Sequence, residues 1–229
     1  MFTSVIIPAG GTGERMGGGT SKQFLPLLGK PIIVHTLERF EGCAEIGEIV
    51  VAINPSGRQR LETLVRRYGF GKISRIVEGG RRRQDSVGNA LKVVSKEAEI
   101  VLVHDAVRPF VRRSTIGEAI NAARIHSAAV VAIPVKDTIK EGDRSSRIVR
   151  TLDRSVLWAA QTPQAFTAEL LRKAYEKANQ RGTEATDDSS LVEELDIHPV
   201  LVEGSSGNIK ITTPDDLELA AILAREFRD

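Results

Sequence analysis

Short apolar runs punctuate the first part of the chain at nearly even spacing: Val5-Ile6-Ile7, Ile49–Ile53, Ile73–Val77, Ile100–Val103 and Ala129–Ile133. Runs this continuous make strands covered on both faces. Between them lie stripes at helical spacing: Ile32, Ile33, Leu37 and Phe40 behind a first-turn Pro31, then Leu61, Leu64, Val65 and Tyr68 in 57–68. Val87, Ala90, Leu91 and Val94 follow, and then a helix from an N-cap at Ser114 to Arg124. Strands and helices in this alternation predict an α/β fold, a mostly parallel sheet with helices on both faces.

The loops carry the chemistry. After the first run the chain breaks at Pro8 into Ala9-Gly-Gly-Thr-Gly-Glu-Arg-Met16, reaches Lys22, and shows no helix before about Pro31. A loop this long inside a compact domain is usually functional or disordered, and we read it as the floor of an active site. Glycines let backbone N–H groups close around phosphate oxygens, and Arg15 and Lys22 meet the charge the amides leave over. A P-loop is excluded, because Lys22 sits in Thr20-Ser-Lys-Gln23; a dinucleotide fingerprint is excluded, because Gly11-Thr-Gly13-Glu-Arg ends on Met16. Two further polar loops, Glu78–Ser86 and His104–Pro109, follow the third and fourth strands. All three loops fall on the edge of the sheet where open α/β folds bind ligands.

Beyond residue 135 the rhythm changes. Residues 136–154 alternate polar and apolar around Gly142-Asp143, the pattern of a hairpin with too few large apolar residues for its own core. An arm at about 136–156 lying against a second subunit accounts for it. Trp158–Phe166 returns to the body, Leu170, Leu171, Ala174 and Ala178 mark a helix, and Ala185–Ser190 opens another containing Leu191, Val192 and Leu195. Val200–Val202 and Ile209–Ile211 read as late strands, and Thr213-Pro-Asp-Asp216 is a capped helix start. One domain over 1–229 is expected, with no second catalytic module after the last helix.

Composition excludes several function classes. A net charge of +2 from 32 basic and 30 acidic residues gives no global pull towards nucleic acid or membrane, so any cation site is local. Aromatics at 4% do not build a nucleic-acid face. Cys43 is the single cysteine, which excludes an internal disulfide. His104, at the end of an apolar strand, reads as a hydrogen-bonded core histidine, and His35, His126 and His198 lack metal-ligand spacing. With neither a signal segment nor a membrane-length apolar run, the expectation is a cytoplasmic protein.

Taken in order, Pro8–Met16, Ser21-Lys-Gln23, Gly79-Gly80, Arg83, Asp85-Ser-Val87, Val103–Pro109, Pro134–Thr138, Asp153-Arg154, Thr162-Pro-Gln164, Thr186-Asp187 and Asn208–Ile211 resemble one family. It is the 2-C-methyl-D-erythritol 4-phosphate cytidylyltransferase family of the non-mevalonate isoprenoid pathway. The resemblance implies a three-layer Rossmann-like nucleotidyltransferase fold with a protruding β-arm, a homodimer with arm exchange, and transfer from CTP to a polyol phosphate with Mg²⁺ or another divalent cation. Arg15, Lys22, Arg154 and Lys210 are then the catalytic set. Pro8, Ala9, Gly10, Gly11, Gly13, Gly80, Asp85, Ser86 and Ala106 bind the nucleotide. Asp105, Arg108, Thr138, Thr162 and Thr186 bind the acceptor, with Arg108 and Thr138 reaching across a dimer interface. The metal is held mainly by triphosphate and water, with no protein ligand assigned.

The sequence departs at Gly10, where a second alanine is common, and at Arg81 and Arg82, which read as a solvated charge run beside the matching Arg83. A ribitol 5-phosphate cytidylyltransferase shares nearly every motif and stays open as an alternative. A non-catalytic nucleotide-binding regulator would be expected to have lost Arg15, Lys22 or Lys210, and all three are present.

Overall fold

In the computed structural model, which describes residues 2 to 11 and 21 to 227, a seven-stranded sheet carries the site. Its strands are β1 (Phe2–Pro8), β4 (Glu48–Ile53), β5 (Ile73–Glu78), β6 (Ala98–Val103), β7 (Ala128–Pro134), β10 (Trp158–Thr167) and β11 (Val200–Glu203), in the order β11-β7-β10-β6-β1-β4-β5. Two small ribbons, β2 (Pro26–Leu27) with β3 (Lys30–Pro31) and β8 (Lys140–Gly142) with β9 (Ile148–Thr151), stand apart from it. Every pairing in the main sheet is parallel except those of β10, which runs antiparallel to both β6 and β7.

Alternation along each strand explains the layers. Val5 and Ile7 of β1 and Ile49, Val51 and Ile53 of β4 face one core, shared with Ile33, Leu37 and Phe40 of α1 (Ile32–Glu41), Leu61 of α2 (Pro55–Tyr68), and Ile116 of α4 (Arg113–His126). Ile6, Val50 and Ala52 face the other, against Val87 of α3 (Arg83–Leu91), Leu171 and Ala174 of α5 (Ala168–Arg181), and Leu191 of α6 (Asp188–Glu193). Ile6 and Ile7 are both fully buried; truncating either to Ala should cost about 2–5 kcal/mol. The edge strand β5 instead exposes Ser74, Arg75 and Glu78, the charged kind of edge that resists pairing with other chains. In a third cluster with Leu27, Ile32 and Phe110, α7 (Pro214–Glu226) starts on the expected cap: Thr213 accepts from the Asp216 N–H, and the Asp216 carboxylate accepts from Thr213 N–H.

Several elements differ from the reading of the sequence. The long strand β10 was not foreseen; Pro163 interrupts its pattern, and the register against β7 shifts between Ala160 and Gln164. Residues 209–211 form no strand, because Ile211 joins the body through one backbone bond to the Val107 carbonyl, 3.0 Å long, and its own burial. Helix α4 begins one residue before Ser114, with an extended Arg112 at the N-cap, so Ser114 caps nothing. Pro31 is the extended cap residue of α1 and not its first turn, and α2 starts earlier than expected, at Pro55.

From β1 the chain winds outward through β4 and β5, then crosses back to place β6 on the other side of β1. That reversal opens a crevice at the carboxyl ends of β1 and β6. Since β10 runs the other way, its first half and the arm before it arrive at the same edge.

Candidate active site

The first cleft lies in that crevice, lined by Pro8, Gly10 and Gly11 after β1, Lys22 and Gln23, Gly80 to Arg83 and Ser86 at the start of α3, Asp105 to Val107 after β6, and Lys210. Local hydrogen bonds fix its floor. Gln23, buried, donates to the Ala9 carbonyl at 2.7 Å, which anchors the 3-10 turn Lys22–Phe24 against the glycine loop. Asn54, following β4, donates to the Gly10 carbonyl at 2.5 Å. Its side chain and the Gly10 Cα both lie within 3.4 Å of where a side chain on Gly79 would begin. The two glycine loops therefore approach each other closely enough that a side chain on Gly79 would have to push its neighbours back by a few tenths of an ångström.

The second glycine loop is folded back on its own helix. Ser86 Oγ accepts from the Gly80 N–H at 2.9 Å and donates to the Arg82 carbonyl at 3.1 Å. The Arg81-Arg82-Arg83 run divides three ways. Arg81 lines the cleft. Exposed Arg82 pairs with Asp85 at 2.7 Å and with Glu184. Arg83 turns inward, with Nε 3.1 Å from Asp105 Oδ1 and Nη1 2.7 Å from Asp188 Oδ2.

A second cleft opens on the other side of Arg83, Asp105 and Lys210, which also line the first; its remaining walls are Arg108, Ala160, Gln161, Thr162, Gln164, Thr186 and Asp187. The seam between the clefts is a charge cluster. Asp105 Oδ2 lies 2.9 Å from Lys210 Nζ and 3.4 Å from Arg108 Nε, and Arg108 Nη1 donates to the Asn208 carbonyl at 2.7 Å. Burial opposes ionisation of Asp105, but Arg83, Lys210 and Arg108 outweigh it and hold this carboxyl well below the usual range. Burial likewise disfavours the Arg83 charge, and the Asp188 and Asp105 carboxylates more than compensate, so its pKa is raised.

His104, fully buried, has Nε2 3.0 Å from the Arg108 carbonyl and Nδ1 3.1 Å from Thr162 Oγ1. Burial pushes its pKa down to about 4, so it is a neutral hydrogen-bonding core residue, as expected. Thr162 Oγ1 also accepts from the Asp105 N–H at 3.1 Å; this hydroxyl holds the seam in place.

The expected site residues divide accordingly. Pro8, Gly10, Gly11, Lys22, Gly80, Ser86, Asp105, Ala106 and Lys210 come together in the first cleft, and Asp105, Arg108, Thr162, Thr186 and Lys210 in the second. Gly13 and Arg15 lie outside the described residues. Ala9 does not line the first cleft: its N–H bonds the Ala52 carbonyl at 2.7 Å and its carbonyl accepts from Gln23, so it extends the strand edge. Nor does Asp85, whose carboxylate caps α3 through the Arg82 N–H and guanidinium. Within its own chain the Arg108 guanidinium is engaged with Asp105 and with the Asn208 carbonyl. Thr138 and Arg154 are exposed at the base of the arm and line neither cleft, Arg154 bonding the Lys136 carbonyl at 2.5 Å. Sequence reasoning missed Asn54, Gln164, Tyr175 and Asp188.

Two clefts that meet at one cationic seam, one of them floored by glycines, suit a reaction joining two phosphorylated partners at a single phosphorus. With this sheet they define a nucleotidyltransferase. The profile of the IspD, or 2-C-methyl-D-erythritol 4-phosphate cytidylyltransferase, family matches residues 3–226, and the chain belongs to that family.

It is 48% identical over 223 residues to the 2-C-methyl-D-erythritol 4-phosphate cytidylyltransferase of Symbiobacterium thermophilum, covering 97% of this chain and 93% of the relative. The crystal structure of the 4-diphosphocytidyl-2C-methyl-D-erythritol synthase of Anaerococcus prevotii superposes with a TM-score of 0.88 at 33% identity, covering 98% and 96% of the two chains. That of the Thermus thermophilus cytidylyltransferase gives 0.81 at 36%, covering 98% and 100%. No helix among the described residues is long and apolar enough to cross a membrane.

Proposed function

We propose that this protein transfers the cytidylyl group of CTP to 2-C-methyl-D-erythritol 4-phosphate, giving 4-diphosphocytidyl-2-C-methyl-D-erythritol and pyrophosphate. The observation that carries this reading is the shared wall of Arg83, Asp105 and Lys210 between a glycine-floored cleft and a polar one. CTP lies in the first, its triphosphate over Gly10 and Gly11 with Lys22 at the α-phosphate; Arg15, outside the described residues, is assigned to neutralise charge there by the family resemblance alone. The acceptor occupies the second, its phosphate beside Lys210.

An oxygen of the acceptor phosphate attacks the α-phosphorus in line, the bond to the β-phosphate breaks, and pyrophosphate leaves with the electron pair. The second pKa of a phosphate monoester is about 6, so at neutral pH the nucleophile is already ionised. No general base is needed; the protein contributes positioning and charge neutralisation.

The described residues contain no cluster of three or more His, Cys, Asp or Glu side chains able to hold a metal ion, and Asp105, the carboxylate in the first cleft, is already shared among three cations. A Mg²⁺ ion, which keeps much of its water, therefore fits as a companion of the triphosphate, where it would neutralise charge on the leaving group. Thr138 and Arg154 reach an acceptor through arm exchange in a homodimer: Ile148 and Val149 on the arm and Val156 at its base are exposed apolar residues that a second copy would cover. The protein works in the cytoplasm.

The test is pyrophosphate release from CTP and Mg²⁺ with methylerythritol 4-phosphate and ribitol 5-phosphate supplied separately. Release with the first alone is expected. Release with ribitol 5-phosphate alone would move the protein to the rival acceptor, and CTP binding without release would make it a regulator.

A further inference from the structure

The seam continues inward beyond anything the reaction touches. Asp188, the first residue of α6, is fully buried and lines neither cleft. One of its carboxylate oxygens lies 2.7 Å from Arg83 Nη1, and the other accepts from the buried Tyr175 hydroxyl at 2.6 Å. Its backbone N–H donates to Gln164 Oε1 at 3.0 Å. Helix capping does not require this carboxylate, because Asp187 already caps α6 through the Ser190 N–H. A buried carboxylate is costly unless paired and hydrogen-bonded, and this one is both.

Its partner Arg83 sits at the start of the helix that carries Ser86 into the first cleft, and Asp188 follows Thr186 and Asp187 of the second. We infer that Asp188, backed by Tyr175, is a positioning residue for cytidylyl transfer: it holds Arg83 so that Arg83 orients Asp105, and Asp105 places the Lys210 ammonium between the two clefts. The inference rests on the reaction proposed above. The ion pairs of the seam join two carboxylates, Asp105 and Asp188, to three cations, Arg83, Arg108 and Lys210. Without the Asp188 charge, Arg83 has Asp105 as its one carboxylate and draws it away from Lys210.

A double-mutant cycle tests this. Turnover is measured for the unaltered protein, Asp188→Asn, Lys210→Gln and the double variant, below the melting temperature of all four. If Asp188 acts through Lys210, its substitution lowers kcat about tenfold in the native background and less than about twofold once Lys210 is gone. A loss of folded protein alone would lower turnover by the same factor in both backgrounds. Should Asp188→Asn fail to fold, Tyr175→Phe removes one hydrogen bond and runs the same cycle, with a smaller loss and the same non-additivity. Losses that multiply, or an Asp188 variant with native kcat, overturn the inference. No turnover by the unaltered protein overturns the reaction and the inference together, whereas turnover with multiplying losses overturns the inference alone.

Discussion

Asp105→Asn removes the one negative charge that three cations share at the seam. The Asp105 side chain is 9% exposed, Arg108 12%, Arg83 25% and Lys210 38%. Removing one partner of a buried ion pair costs about 3–5 kcal/mol. Here Lys210 can turn to water, Arg83 keeps Asp188 and Arg108 keeps the Asn208 carbonyl, so the loss falls near 3 kcal/mol at neutral pH. At about 2–4 °C per kcal/mol for a chain of this size, Tm should drop by roughly 6–12 °C.

The pH dependence has a definite sign. The folded-state pKa of Asp105 is depressed, so its contribution is complete above the unfolded value of about 3.9 and declines as pH falls from there towards the folded value. Urea melts of the two proteins should differ by a constant amount between about pH 5 and 8 and converge below about pH 4. A gap under about 0.5 kcal/mol at pH 7, the size of an ordinary surface substitution, would refute the seam as described.

Other substitutions report on other parts of the account. Lys22→Met and Arg15→Met should each lower kcat about 10²–10³-fold, as for other groups that stabilise developing charge. Gly80→Ala would put a methyl carbon 2.2 Å from Asp85 Cβ, and CTP affinity measured by calorimetry should weaken by about tenfold or more; Gly10→Ala meets its nearest atom at 3.2 Å and should change affinity less than about threefold. His104, with its pKa lowered to about 4, resists protonation that the unfolded chain accepts below about 6.5, so stability falls as pH drops through that window. In denaturant melts of His104→Gln, about 3 kcal/mol of that fall should be missing. Under the proposed arm exchange, Val149→Asp on the exposed arm should shift the sedimentation coefficient from that of a dimer to that of a monomer.

The fold was legible wherever burial on both faces forced long apolar runs, as in Val5-Ile6-Ile7 and Ile49–Ile53. Strand β10 was not, because half of it serves the site: Gln161, Thr162 and Gln164 are buried polar residues whose partners lie far away in sequence. Gln164 Oε1 accepts from the Asp188 and Ser189 N–H groups, and no local pattern announces that. The edge of the sheet that binds ligands could be read from three loops, because alternation fixes strand direction.

Individual roles could not be read so directly. Arg81, Arg82 and Arg83 are equivalent as letters and all three border the first cleft; only the fold pairs Arg82 with Asp85 and Glu184 at the surface and sets Arg83 between two carboxylates. The Arg83–Asp188 pair spans 105 positions. Ala9 sits in the expected loop and Asp85 in the first turn of α3, but their polar groups are already engaged by backbone or neighbouring side chains.

The most direct test of the central claim is transfer from CTP labelled at the α-phosphorus, with methylerythritol 4-phosphate as acceptor. The account predicts label in a diphosphocytidyl product and one unlabelled pyrophosphate for each label transferred. Label recovered in CMP, or CTP bound and left intact with either acceptor phosphate present, would contradict it.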